Sequence, residues 1–214
     1  MNLVRFIFVF LFCVPVVSWG AFPLSTDDIG ITEQEKYSLE TGVVSVRNTY
    51  NANESGVFIA IQHGINGKMD MIFSVPFQVE PSTANQVGTA TLTGRFNLIK
   101  DLFTFTVANE LGSQECSINA VFTREISPVS VHLNLGFETS DSADEPGARV
   151  VSAAFEYPFK KFDIVGEIGN DNVRTNWLIG TRWKVIENGF IGIGLRNNTD
   201  DSTNRYTVGF HVDF

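Results

Sequence analysis

The chain has 214 residues, with 24 acidic and 15 basic side chains, a formal net charge of −9 and only two cysteines. That acidity argues against a protein that tracks nucleic-acid phosphates, and no nucleic-acid partner is expected. Beyond the first twenty residues no stretch approaches the roughly 20 apolar residues that a membrane-spanning helix needs, so a helical membrane protein is excluded.

Met1 to Arg5 carries one positive charge, "FIFVFLFCVPVV" is a continuous apolar run, and "SWG" places small residues before a cut. This order reads as a secretory signal peptide over residues 1–20, with cleavage after Gly20. The run is too short for a membrane anchor, and Phe12 stands where a lipoprotein signal needs a small residue before Cys13. Removing Arg5 leaves 14 basic residues against 24 acidic ones, a balance of −10. Removing Cys13 leaves Cys116 without a partner for an intramolecular disulfide, in spite of an oxidising destination. Residues 21–35, "AFPLSTDDIGITEQE", then precede the first strand-like run.

From Lys36 onward the chain resolves into twelve alternating runs, with no segment of helical period. They cover about residues 36–48, 56–64, 68–79, 87–98, 102–111, 116–124, 129–139, 147–157, 161–169, 174–184, 189–197 and 204–214. Most are near the 9 to 11 residues of a tilted transmembrane strand. In "VSVHLNLGF", Val129, Val131, Leu133, Leu135 and Phe137 share one side, with Ser130, His132, Asn134 and Gly136 on the other. Alternation alone also suits a soluble sandwich, but the charges discriminate. The less apolar face carries Asp70, Arg95, Glu110, His132, Glu156, Asp163, Glu167, Arg182, Arg196, Arg205, His211 and Asp213. The opposite face holds aromatics near run ends, among them Tyr37, Phe77, Phe103, Phe137, Tyr157, Phe162, Trp183, Tyr206 and Phe214. A polar interior and aromatic girdles around an apolar band belong to an outer-membrane barrel.

The links support the same reading, because they alternate long and short: "TYNANES" then "ING", "EPSTANQ" then "IKD", "SDSADEPGA" then "FKK". Outer-membrane barrels have short periplasmic turns and longer outer loops. The expected fold is therefore all-β, a single antiparallel transmembrane β-barrel of 12 strands over residues 36–214, in the outer membrane of a Gram-negative bacterium. Its last strand, "RYTVGFHVDF", closes against the first and leaves no edge. Outer-membrane lipid and lipopolysaccharide are the expected surroundings. Residues 21–35 either fold into the lumen as a plug, with Asp27 and Asp28 meeting Arg95, Arg182 or Arg196, or trail in the periplasm.

Several motifs invite sharper readings. The histidines raise lipid-modifying catalysis on a barrel wall, which needs a base beside a nucleophile. His132 and His211 instead lie among polar luminal neighbours with no nearby "HxS" pattern, and His63 sits by a short turn, so no catalytic residues are assigned. "GFIGIG", Gly189 to Gly194, lacks the following helix of a phosphate loop, and alternate small residues on an inner wall make room inside a barrel. "DSADE" (141–145) and "TDDST" (199–203) lack the ligand spacing of a calcium loop, so no metal and no cofactor are expected. The candidate pore-lining set is Arg95, Glu110, His132, Glu156, Glu167, Arg182, Arg196, Arg205 and His211. These side chains either satisfy one another in networks or line a selective water-filled path.

"FPLSTDDIG" (22–30), followed by "EKYSLETG", resembles the opening of a family of bacterial outer-membrane proteins named for the meta-cleavage pathway of phenol degradation, often labelled transporter-like. "HGINGKMDMIFSVPF" is similar to its turn and Pro-aromatic strand, and "YTVGFHVDF" to its last strand. The family resemblance implies an outer-membrane protein that admits small organic compounds, and it supplies no catalytic residues. The terminal Phe214, with apolar residues at alternate positions before it, also resembles the C-terminal signal read by the outer-membrane assembly machinery. The expected function is a channel or transporter that passes or binds a small solute through a narrow polar lumen. The alternatives are a closed structural or adhesion barrel acting through its outer loops and, third, an outer-membrane enzyme.

Overall fold

A computed structural model describes residues 22–47, 53–82, 86–140, 147–170, 172, 174–199 and 204–214. The signal peptide read over residues 1–20, the acidic loop at 141–145 and most of the one at 199–203 lie outside the described residues.

Twelve strands follow in sequence: β1 (Tyr37–Arg47), β2 (Asn53–Asn66), β3 (Met69–Glu80), β4 (Thr91–Ile99), β5 (Phe103–Glu110), β6 (Cys116–Ile126), β7 (Val129–Glu138), β8 (Ala148–Phe159), β9 (Phe162–Asn170), β10 (Thr175–Ile186), β11 (Gly189–Asn198) and β12 (Arg205–Asp213). Each pairs antiparallel with its neighbours, and β12 returns to β1, so the sheet is closed. Closure satisfies the backbone of both terminal strands, which an apolar solvent would not do. The seam runs from Ser38↔Asp213 to Val46↔Arg205, and Tyr37 and Phe214 exchange both backbone hydrogen bonds at 2.9 Å below it. The apolar C-terminal strand therefore has its partner in the first strand of the same chain.

All twelve expected runs are strands, with boundaries shifted by a few residues. The largest shifts have local causes. β2 starts earlier than its run because Asn53 to Ser55 still pair with Arg47 to Ser45. β4 starts later because Thr91 opposes Ser74 while Val87 opposes Phe77, a one-residue slip that interrupts the ladder. The turns at 67–68, 100–102, 127–128, 160–161 and 187–188 are short and lie at one end, together with the start of β1 and the end of β12. Asp101 and Lys160 adopt positive φ in two of these turns, the left-handed geometry that tight reversals demand.

The burial is inverted relative to a soluble protein. Ile59, Ile61, Phe73, Leu133, Leu135, Phe155, Ile179, Ile193 and Val208 are exposed around the wall, while Asp70, Arg95, Thr104, His132, Asn134 and Arg182 are buried. Tyr37, Phe137, Tyr157, Phe162, Trp183, Tyr206 and Phe214 add exposed aromatics to the outer face. An apolar surface this continuous, around a polar interior, is stable only in lipid. A cluster of buried apolar residues, Leu24, Ala154, Val165 and Leu178, joins three wall residues to a residue that is not part of the wall. Along β7 the alternation is plain: Leu133 and Leu135 are 41% and 47% exposed, His132 and Asn134 1% and 3%.

Single cysteines substituted at Val131, Leu133 and Leu135 should resist a charged maleimide in liposomes and react with a lipid-soluble one. Reaction of these three with the charged reagent, with protection at their neighbours, would reverse the facing.

Candidate functional site

The lumen is occupied by the segment that precedes β1. Residues 22–35 run around the inner wall and touch the strands in almost perfect reverse order. The Phe22 ring lies over glycines of β1, β11 and β12, and Pro23 over Gly180 of β10 and Gly194 of β11. The amides of Ser25 and Thr26 both donate to Glu167 Oε2 of β9 at 2.6 Å, and Thr26 Oγ1 bonds Ser152 of β8 at 2.9 Å. Asp27 meets β7 and β6: Asn119 Nδ2 donates to its carboxylate at 3.0 Å. The Asn134 amide, turned so that its oxygen faces the Asp27 N–H, spans the Asp27 backbone with bonds of 2.7 and 3.0 Å. The Ile29 carbonyl accepts from Thr104 Oγ1 of β5 at 2.9 Å and from Asn97 Nδ2 of β4 at 3.3 Å. The Thr32 amide donates to Asp70 of β3 at 2.7 Å, and Gln34 and Glu35 bridge to Gly64 of β2 before the chain turns into β1. Every strand contributes a contact.

Three buried groups hold the segment. Asp70, fully buried, takes a forked pair from Arg95 at 2.9 and 2.7 Å, a bond from Gln62 at 2.6 Å and the Thr32 amide. A charge at this depth is tolerable because donors saturate it. Glu167 grips Ser25 and Thr26 while Arg196 approaches its other oxygen at 3.3 Å. Arg182 Nε donates to the Phe22 carbonyl at 2.6 Å, and its Nη1 lies 2.7 Å from Glu156. Glu156 also faces His132 Nε2 at 3.4 Å, and His132 Nδ1 bonds Thr123 at 2.8 Å. The Arg182 guanidinium lies over the Phe190 ring, which stacks on His211, and His211 reaches Asp213 at 3.1 Å and Glu40 at 3.5 Å.

The expected luminal residues are therefore distributed as follows. His132, Glu156 and Arg182 form one network, Arg196 and Glu167 a second, Arg95 a third with Asp70, and His211 a fourth with Asp213 and Glu40. Glu110 lies at the outer end of β5, opposite Thr91. Arg205 lies directly opposite Arg196. Asp27 and Asp28 are inside the barrel, but the arginines expected to meet them are bound to other carboxylates. Asn119 meets Asp27, and the Gly30 amide donates to Asp28 at 2.6 Å. Asp70, Glu156 and Glu167 of the wall hold those guanidiniums instead. Burial pushes both aspartates' carboxyls above the usual range, and the charge of Arg95 opposes that shift.

Sequence reasoning missed the seat of Phe22 and Pro23. A Cβ at Gly192 or at Gly209 would lie 2.6 Å from the Phe22 ring, and Cβ atoms at Gly42, Gly180 and Gly194 would crowd the same two residues. "GFIGIG" does make room inside the barrel, and the occupant is this chain's own "FP". Inward glycines of adjacent strands facing an aromatic-proline pair upstream were the available signal.

No family model matches the chain, and no curated protein matches it. Solved structures do. The KdgM porin is matched at TM-score 0.64 with 13% identity, over 83% of this chain and 99% of that one. An outer membrane channel from Pseudomonas putida F1 is matched at 0.56 and 12%, over 88% and 98%. The outer membrane protein Omp33 of Acinetobacter baumannii is matched at 0.50 and 9%, over 85% and 100%. These likenesses establish the fold, a transmembrane β-barrel of the bacterial outer-membrane kind.

Replacing Asp70 with Asn strands the buried Arg95 charge and should cost about 3 kcal/mol in urea unfolding. Gly192→Val should expel Phe22, so that residues 22–32 become protease-sensitive while the folded barrel keeps its heat-dependent gel shift. A segment that stays protected would refute the close fit.

Proposed function

We propose that the protein is an outer-membrane channel for small solutes whose conductance is limited by its own N-terminal segment. One observation carries the reading: a separate segment, held largely through hydrogen bonds, runs through the lumen and touches every strand of the wall. A barrel of twelve strands lies between the eight that side chains fill and the sixteen or more that leave an open channel. Here the difference is made up by residues 22–35. These contacts are polar and can be remade with water, so the segment can shift without unfolding the wall.

The groups it would uncover are charged and of both signs. They suit a narrow water-filled path of the kind that selects by rings of charge. The fold shared with porins and channels supports the reading. So does the resemblance of "FPLSTDDIG" to the phenol meta-cleavage family of outer-membrane proteins, because those residues are the ones that occupy the lumen. The apolar belt is suited to outer-membrane lipid and lipopolysaccharide, and the Phe-ended β12, which closes the barrel, to recognition by the assembly machinery. No enzymatic role is proposed: His132 and His211 are tied into the inner networks, and His63 stacks on Tyr37 and contacts the Lys36 carbonyl.

The test is a disulfide between cysteines substituted at Thr26 and Ser152, whose side chains are in contact, in a Cys116→Ser background. In planar bilayers the oxidised protein should be silent and reduction should restore discrete openings. Silence after reduction, and also in a chain lacking residues 22–32, would mean a closed structural barrel.

A further inference from the structure

The wall carries a cationic pair, Arg196 and Arg205, of which the luminal networks pair only Arg196 with a carboxylate among the described residues. Arg196 and Arg205 are register partners on β11 and β12 and point to the same face. Like charges directly opposite each other on a sheet are unfavourable, so the arrangement calls for a shared anion. Among the described residues the carboxylate that pairs with Arg196 is Glu167, at 3.3 Å, and its other oxygen is taken by the Ser25 and Thr26 amides. Arg196 also bonds the Ser25 hydroxyl. Among the described residues no carboxylate forms an ion pair with Arg205.

Both arginines line a cavity of about 190 Å³ on the outer side of the luminal segment. Phe22 and Leu24 of that segment form its floor, and Val44 of β1 and Phe58 of β2 form an apolar wall, with the Phe22 and Phe58 ring centroids 5.9 Å apart. Glu40 also reaches the cavity, but its carboxylate faces His211. The site thus has guanidiniums at one side and aromatic and aliphatic carbon at the other.

We propose that this cavity binds a small organic monocarboxylate with an apolar body, its carboxylate between Arg205 and Arg196 and its body on Phe22, Phe58 and Val44. The proposal rests on the channel reading, for which it names the solute class. A guanidinium takes a carboxylate through two parallel N–H donors, and the apolar wall rejects small hydrated anions because it returns nothing for their lost water. A cation of the same shape meets two like charges.

The test uses the full refolded chain in detergent micelles, titrated calorimetrically with benzoate, with benzylamine and acetate as probes lacking one half of the match. Empty micelles correct for partitioning. Benzoate should saturate, with acetate and benzylamine each weaker by at least about tenfold, and Arg205→Gln should weaken benzoate by a similar factor. Benzylamine binding as well as benzoate, acetate binding as well as benzoate, or benzoate unaffected by Arg205→Gln would overturn the site. If that variant lacks the heat-dependent gel shift, Arg205→Lys is read instead: it keeps the charge without the fork and should weaken benzoate severalfold, and unchanged binding counts against the site. Binding is measured independently of conduction. Benzoate bound by a protein that never conducts leaves the site standing and removes the channel reading, and conduction without benzoate binding does the reverse.

Discussion

The structure depends on a single exchange of hydrogen bonds inside a closed wall. Charged side chains buried inside the barrel need partners, and a segment with little regular secondary structure leaves its own amides and carbonyls short of partners. Each group that anchors residues 22–35 answers both needs. Asp70 neutralises Arg95 and accepts from Thr32, Glu167 faces Arg196 and accepts from Ser25 and Thr26, and Arg182 faces Glu156 and donates to Phe22. An orphaned buried charge costs several kcal/mol and an unmet backbone group about 1–3. Wall and segment therefore stabilise one another far more than either would in isolation.

That exchange has a directional consequence. Because the segment leads directly into β1 and touches the strands from β12 round to β2, its attachment is spread over the whole circumference and concentrated nowhere. The apolar contribution is small by comparison: Leu24 with Ala154, Val165 and Leu178, and the Phe22–Pro23 pair in its glycine seat. Polar contacts shared around a ring can be remade with water or with a solute as the segment moves. Distribution of this kind suits an occluding element that must be ordered and still displaceable.

The cavity beside Arg205 belongs to the same logic. Most inner charges come in matched sets, but at the outer end of β11 and β12 two guanidiniums stand side by side, and among the described residues the carboxylate paired with them, Glu167, also binds the segment. Phe22 and Leu24, which seat the segment below, present their carbon to the same cavity. The element that closes the lumen therefore also forms the floor on which a solute would rest.

The wall was legible in the chain before any coordinates: twelve strands, their facing, the alternation of short and long links, and the partner of the last strand. These follow from period-two alternation and chain-end polarity, which are local and repeat along the chain. Also legible was that the inner charges would be mixed in sign and that the GFIGIG stretch left space. Only the tertiary structure decided which charges pair, that Asp27 and Asp28 are met by an asparagine and a backbone amide and not by the arginines, and that residues 22–35 lie in the lumen. Those outcomes depend on which inward positions of non-adjacent strands face one another across a closed barrel. That is set by the stagger and curvature of the whole sheet, which no window of sequence contains.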